Sequence, residues 1–372
     1  MLKVCLIFGG VSNEHEVSLL SMSGVARNLD RSRYEVVMLG ITKSGKWLHY
    51  TGPISLIENG QWELSQYVHP VTFSLDPAQR GLILTGCAEV KASEMIRRRI
   101  IAGTPLKRRE QKFIGVDVVF PVLHGKDGED GTVQGLLELA GIPYVGCGVL
   151  SSALCMDKEY THTVLQGAGV PKTKLIAVRR SEMDSFKELA PRLRKELGYP
   201  MFVKPANSGS SVGISKAANR KELLDALEEA FKHDSKAVVE KAMKGTEVEC
   251  AVIGNDDAYA ADVLAEIVPT REFYDYEAKY HDDSTELVVP ARISEESANQ
   301  VKYLAVKAYK ALGCKGMARV DFFVKPDGSP VLNEVNTIPG FTTISMYPRL
   351  FMEHGMTYSG LLDRLIELAI EG

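Results

Sequence analysis

Cysteine, tryptophan and basic excess are what this sequence has little of. Its six cysteines (Cys5, Cys87, Cys147, Cys155, Cys250, Cys314) are scattered over 372 residues with no Cys-x-x-Cys spacing. That argues against a zinc site and reads as buried free thiols in a reducing cytoplasm. The formal net charge is −4, so nucleic acid is not an expected partner. No apolar run approaches the roughly 20 residues that span a bilayer, so a membrane is not expected either. The first eight residues carry one lysine and then Val-Cys-Leu-Ile-Phe running into Gly9-Gly10, too short an apolar stretch for a secretory signal and right for a first strand. The loop after that strand reads GGVSNE, which is not the G-x-G-x-x-G of a dinucleotide site.

What is present is ordinary for a soluble protein: 45% hydrophobic and 25% charged residues, at a length suited to two or three domains. Residues 2–8, a helix over Ser12–Leu29 and a strand over Tyr34–Ile41 read as the opening of a doubly wound α/β unit. Glu14 stands near the helix start, facing the crevice where ligands of such sheets bind. An acid there can hold a ligand ammonium, and a carboxylate near a helix N-terminus is also favourable by itself. Residues 42–112 say least. Trp47 and Trp62 fall in short strand-like pieces, and the basic clusters at 97–99 and 107–109 read as a solvated helix face. Val116–Pro121 is a further buried strand. The loop HGKDGEDG (124–131) follows it and leads into a helix ending at Leu139. Such a loop suits an anion, with His124 as a candidate partner for a substrate carboxylate, or it is a turn whose glycines satisfy the backbone.

A helix from Met156 to Gln166 is stopped by Gly167-Ala168-Gly169-Val170-Pro171. Thr173–Val178, Met201–Lys204 and Val238–Glu240 read as strands of a smaller α+β unit. Lys204 ends its strand, and NSGSSVG (207–213) follows. Backbone N–H groups and hydroxyls in such a loop can wrap phosphate oxygens, but the lysine precedes the loop, unlike G-x-x-x-x-G-K-[ST]. Glu240 suits an exocyclic amine of adenine and Glu247 ribose hydroxyls; ordinary surface charge is the competing account. Residues 270–284, TREFYDYEAKYHDDS, read as a lid over a site or as a solvated loop. Ser294 caps an amphipathic helix to Leu312, and a last helix runs from Tyr358 to Glu371.

The segment RVDFFVKPDGSPVLNEVNTIPGF (319–341) organises the chain. Two strand-like runs flank Asp327-Gly328, a strong hairpin signal. A two-residue turn there places Asp321 opposite Glu334 and Arg319 opposite Asn336, with all four on one face. Facing carboxylates repel, and a hard divalent cation converts that liability into a site. An exposed hairpin face carrying a salt bridge uses the same residues, and a longer turn would shift the register by one.

Together with GGVSNEHEVSL (9–19), HGKDGEDGTVQGLLEL (124–139), MDK (156–158), FVKPANSGSSVGI (202–214), VEKAMKGTE (239–247), FYDYEAKY (273–280), CKGMARVDF (314–322) and NEVNTIPGFT (333–342), the chain resembles the ATP-grasp ligases. Within them it is similar to the D-alanine–D-alanine ligase family, over essentially its whole length. The resemblance implies three domains: an N-terminal α/β domain (1–146), a central α+β domain (147–239) and a C-terminal domain with the metal hairpin (240–372). It implies that ATP is held by Lys158, Lys204, Ser211, Glu240, Lys241, Met243, Glu247 and Lys279. Asp321, Glu334 and Asn336 would hold two Mg²⁺ (or Mn²⁺), and Arg319 would sit near the transferred phosphoryl group. Glu14 would take the first substrate's ammonium, with Val17 and His124 beside it. Ser210 and Tyr280 would tie the loops over the closed site, Gly340 would give a backbone N–H to the acyl centre, and Ser345 and Met346 would surround the second substrate. Many members carry an aromatic residue where this chain has Ala242. The implied reaction is ATP-dependent joining of two D-alanines through D-alanyl phosphate, for peptidoglycan precursors, by a cytoplasmic homodimer. D-lactate or D-serine as second substrate is the alternative, and an intact Glu277-Ala278-Lys279-Tyr280 favours D-alanine.

Overall fold

The computed structural model describes residues 1–64, 66–85, 112–209, 212–268, 286–342 and 344–372. Ser210, Ser211, Lys279, Tyr280, the whole 270–284 segment and both basic clusters lie outside the described residues.

Three sheets carry the fold. β1 (Leu2–Gly9) lies parallel to both β2 (Tyr34–Ile41) and β7 (Val118–Pro121). Val4 to Phe8 have no exposed surface, as expected of a parallel strand covered on both faces. α1 (His15–Asn28) packs on this sheet. The sheet then continues antiparallel through β3 (Trp47–Tyr50), β4 (Val68–Phe73), β5 (Gly81–Leu84) and β6 (Phe113–Gly115). The doubly wound opening thus ends after β2, and the poorly legible residues extend its edge. Trp47 is in a strand, but Trp62 is not. It follows the five-residue helix α2 (Ile54–Glu58) and is buried edge-on against Phe8, ring centroids 5.0 Å apart.

After α3 (Thr132–Ala140), the expected helix at Met156 is two helices, α4 (Val149–Met156) and α5 (Lys158–Gly167), broken at Asp157. A four-stranded sheet follows, in the order β10 (Ser215–Ala217), β9 (Met201–Pro205), β11 (Lys236–Lys241), β8 (Leu175–Arg179). It is covered by α6 (Phe186–Leu197) and α7 (Arg220–His233) around a core of its own. β11 runs through residue 240, so Glu240 belongs to this sheet.

The third sheet has β12 (Thr246–Ile253) between β14 (Ala265–Val268) and β16 (Met317–Val324), with β15 (Glu286–Val288) and β17 (Pro330–Asn336) at its ends and β13 (Tyr259–Ala260) paired beside β12. α8 (Glu295–Ala311), capped by Ser294 Oγ, covers it. The last helices, α9 (Met346–Glu353) and α10 (Tyr358–Glu371), share one apolar core with β1, α1 and β7; Phe120 meets Phe341 edge-on at 5.7 Å. The first and third sheets are therefore fastened to each other through one core, while the four-stranded sheet packs separately.

Candidate active site

The hairpin that organises the sequence has the expected facing residues but not the expected turn. Lys325 N donates to Ser329 O and Gly328 N to Lys325 O, so the loop is Pro326-Asp327-Gly328. Gly328 takes φ 83°, the left-handed position such a three-residue turn requires. This pairs Val324 with Pro330 and Phe322 with Leu332, one residue out from a two-residue turn. The register then shifts between Phe322 and Asp321, leaving Asn333 unpaired as a bulge, and Asp321 meets Glu334 and Arg319 meets Asn336. A bulge adds one residue to one strand, which restores the pairing at the site.

On that face Asp321 is buried and triply bonded. Arg319 Nε and Nη2 donate to its two oxygens at 2.8 and 2.7 Å, and Asn336 Nδ2 donates at 2.9 Å. Glu249, on neighbouring β12, reaches Arg319 Nε at 3.3 Å. These carboxylates outweigh the cost of burying the guanidinium and hold Arg319 charged. Among the described residues no three His, Cys, Asp or Glu side chains converge as a metal site. Two carboxylates and one amide are the hard oxygen set Mg²⁺ accepts when phosphate supplies the rest, so the residues fit an ion shared with a nucleotide.

Two lysines face the hairpin. Asp157 explains the position of the first: its carboxylate accepts from Glu159 and Tyr160 N, capping α5, whose first residue is Lys158. Asp157 is itself held by buried Lys236 at 2.5 Å. Lys158 Nζ donates to Ser208 O at 2.7 Å, at the base of the 207–213 loop. Lys204, next to last in β9, pairs with Glu240 at 2.8 Å. Burial opposes the Lys204 cation, but Glu240 and Glu334 outweigh it and raise its pKa. Glu240 thus faces Lys204 and also lines the cavity beside it. A third lysine, Lys172, donates to the carbonyl of Asn333 at 2.5 Å, and burial pushes its pKa down to about 8.

The opposite wall comes from the first sheet. Glu14, buried, is the N-cap residue of α1. Gly125 (φ 70°) lies against it: a Cβ there would stand 2.5 Å from Glu14 Oε2. His124 is buried, with Nδ1 3.1 Å from Ile338 O and Nε2 3.2 Å from Ser21 Oγ. Burial lowers its pKa, and with both ring nitrogens engaged it braces the 124–131 loop against α1 and the segment after β17. Glu129 was not singled out by the sequence. It accepts from Gly125 N at 2.8 Å and Ile338 N at 3.2 Å, joining the 124–131 loop to the segment after β17. Burial, with Glu14 adding to it, pushes its pKa up to about 8.

Many of these groups border one cavity of about 1480 Å³. Every candidate residue among those described lines it: Asp321, Glu334 and Asn336 of the hairpin, Arg319, Lys158 and Lys204, Glu240 to Glu247, Glu14 with Val17 and His124, and Gly340 with Ser345 and Met346. Ser345 Oγ accepts from Thr342 N at 2.9 Å, beside Gly340. Glu249 and Glu129 also line it. Glu249 was legible as the residue two beyond Glu247 on one strand face, and Glu129 as a carboxylate within a glycine loop already marked.

Residues 3–147 match the family described as D-ala D-ala ligase N-terminus, and residues 164–367 match D-ala D-ala ligase C-terminus. A D-alanine–D-alanine ligase from Caldicellulosiruptor bescii is 49% identical, covering 100% of this chain and 95% of its own. One from Acetivibrio thermocellus is 46% identical over 99% and 96%. Among solved structures, the VanG D-Ala:D-Ser ligase from Enterococcus faecalis superposes with a TM-score of 0.84 at 41% identity, covering 99% of both chains. The D-alanine–D-alanine ligase from Coxiella burnetii gives 0.79 at 33%, over 100% and 94%. This chain belongs to the D-alanine–D-alanine ligase family and has its ATP-grasp fold.

Proposed function

We propose that the protein joins two D-alanine molecules, converting ATP to ADP and phosphate. The observation that carries this is the convergence, around one cavity, of two phosphate-type lysines, a carboxylate–amide hairpin and a buried acid suited to an ammonium. The volume, about 1480 Å³, exceeds the roughly 300–1,000 Å³ of a single small-ligand site and suits a nucleotide with two amino acids.

Glu14 would hold the ammonium of the first D-alanine and so aim its carboxylate at Arg319. That carboxylate attacks the γ-phosphoryl group, forming D-alanyl phosphate. The amine of the second D-alanine, seated by Ser345 and Met346, then attacks the acyl carbon, and phosphate leaves. Lys158 and Lys204 stabilise charge on the phosphates, and Gly340 N–H supports the tetrahedral oxygen. Asp321, Glu334 and Asn336 would hold Mg²⁺ or Mn²⁺, which neutralises phosphate charge when bound. Arg319, paired with Asp321, would stand beside the phosphoryl group and stabilise its charge. Ser210 and Tyr280 are assigned to loop closure, which protects the acyl phosphate from water. A homodimer is the assembly proposed, and sedimentation equilibrium tests that state.

The test is phosphate release from ATP and Mg²⁺ with D-alanine, L-alanine, or D-alanine plus excess D-serine or D-lactate, with products identified by mass. D-Alanyl-D-alanine as main product, and little release with L-alanine, is expected. D-Serine is the second reading, favoured by the 41% identity to a structure named as a D-Ala:D-Ser ligase. A dominant mixed dipeptide in the competition would replace the first reading with it.

A further inference from the structure

Three thiols that are far apart in sequence gather beside the cavity. Cys155 lies in the last turn of α4, is half-buried and lines the cavity. Cys314 is buried in the connection between α8 and β16, and its Sγ is 3.8 Å from that of Cys155. Cys147, also buried, directs its S–H at the carbonyls of Lys315 (3.5 Å) and Met317 (3.6 Å), just after Cys314 in the chain. All three are free. None takes part in the ligation chemistry above.

The geometry points to Cys155 and Cys314 as a reversible disulfide-forming pair, oxidised by a low-molecular-weight disulfide that enters through the nucleotide cavity. Cys155 is the entry point because it alone of the three borders the cavity. Its thiolate attacks one sulfur of the reagent and expels the first small thiol, leaving a mixed disulfide. Cys314, having given up its proton, attacks the Cys155 sulfur and expels the second. Two protein thiols are oxidised, one small disulfide is reduced to two thiols, and no further oxidant is needed. The sulfurs must close from 3.8 Å to about 2.05 Å, a shift on the scale of a side-chain rotation with a small movement of α4.

The bond joins two segments that feed the site. Cys155 is three residues before Lys158, across the Asp157 break, and Cys314 is five residues before Arg319. Drawing the end of α4 toward Cys314 pulls on the Asp157–Lys158 corner, which holds the base of the phosphate loop through Ser208. The crosslinked protein therefore binds nucleotide more weakly, and bound nucleotide shields Cys155.

The experiment incubates the full-length protein with oxidised glutathione, with and without Mg²⁺·ADP. Non-reduced peptides are mapped by mass, and ADP affinity is measured by calorimetry. A Cys155–Cys314 peptide short of two hydrogens is expected, suppressed by ADP and reversed by dithiothreitol. ADP affinity should fall by about tenfold or more, about 1.4 kcal/mol. Cys314→Ala, away from the cavity lining, should bind ADP as the reduced wild type does before oxidation and stop at a glutathione adduct on Cys155, and Cys155→Ser should show neither product. A wild-type protein that stops at the adduct, that links other cysteines, or that is crosslinked yet binds ADP unchanged would overturn the proposal.

Discussion

Removing the Asp321 carboxylate tests the centre of the site without relying on turnover. In EDTA, Asp321→Ala strands Arg319, whose side chain is 18% exposed against 6% for Asp321. Three hydrogen bonds at 2.7–2.9 Å are lost. Removing one partner of a buried ion pair costs about 3–5 kcal/mol because the other charge is left behind. Glu249 remains 3.3 Å from Arg319 Nε, which puts the expected loss at the low end, about 3 kcal/mol. For an unfolding unit of 150–250 residues that is roughly 6–12 °C in Tm. Arg319→Met/Asp321→Leu removes both charges and keeps apolar volume, so it should recover most of the loss. Differential scanning calorimetry of wild type, Arg319→Met, Asp321→Leu and the double variant closes the cycle. If Asp321→Ala melts within 2 °C of wild type, or if the double variant is as unstable as the singles added together, the pair does not hold the hairpin face as described.

Glu129 predicts a pH dependence. Its folded pKa, near 8, is raised above the ordinary carboxylate value, so the folded state holds the extra proton. The resulting stability is fully present below about pH 4.5 and is lost as pH rises through 8. The Tm of wild type minus that of Glu129→Gln should therefore decline between pH 5 and 9, and a flat difference would reject the shift. Asp157→Ala removes the α5 cap and one partner of buried Lys236; a loss of about 2 kcal/mol is expected, with a smaller loss for Asp157→Asn, which keeps a capping oxygen. Equal losses in urea titrations would mean that the cap adds nothing. Lys172→Met removes a charged donor to the bulge carbonyl, and roughly 1.5–3 kcal/mol should be lost; an unchanged unfolding midpoint would contradict that contact.

What was legible in the sequence was the strongly patterned part. β1, α1, β2 and α8 came from apolar periodicity and caps, because burial on one or both faces dictates residue type there. Trp62 was misplaced because a buried aromatic carries no period of its own; its position is set by Phe8 and Tyr50 across the sheet. The single helix expected at Met156 became two because Asp157 acts as the cap of the second, and a cap inside a helical pattern also looks like an ordinary surface acid. His124 was visible as a site residue, but the contacts that fix its ring were not, since Ser21 and Ile338 are distant in sequence.

The hairpin shows how a wrong local step and a right site coexist. The Asp-Gly signal fixed a reversal, but one residue separates a two-residue turn from the observed three, and such a slip alone would send alternate side chains to the other face. The bulge at Asn333 cancels it. A bulged backbone leaves its polar groups outside the ladder, and here Lys172 Nζ donates to the bulge carbonyl, Asn333 O, while beside it Leu332 N donates to Pro171 O. Pro171 and Lys172 lie in the stretch between α5 and β8, the chain's entry into the four-stranded sheet. That same sheet brings Lys204 and Glu240 to the cavity. The contact that stabilises the bulge, and with it the facing of Asp321 and Glu334, therefore also anchors the start of the sheet that faces them. Hairpin register and the entry into the sheet that carries Lys204 are in this way tied together by one junction, Pro171 and Lys172 against Leu332 and Asn333, and not by the turn that announces the hairpin in the sequence.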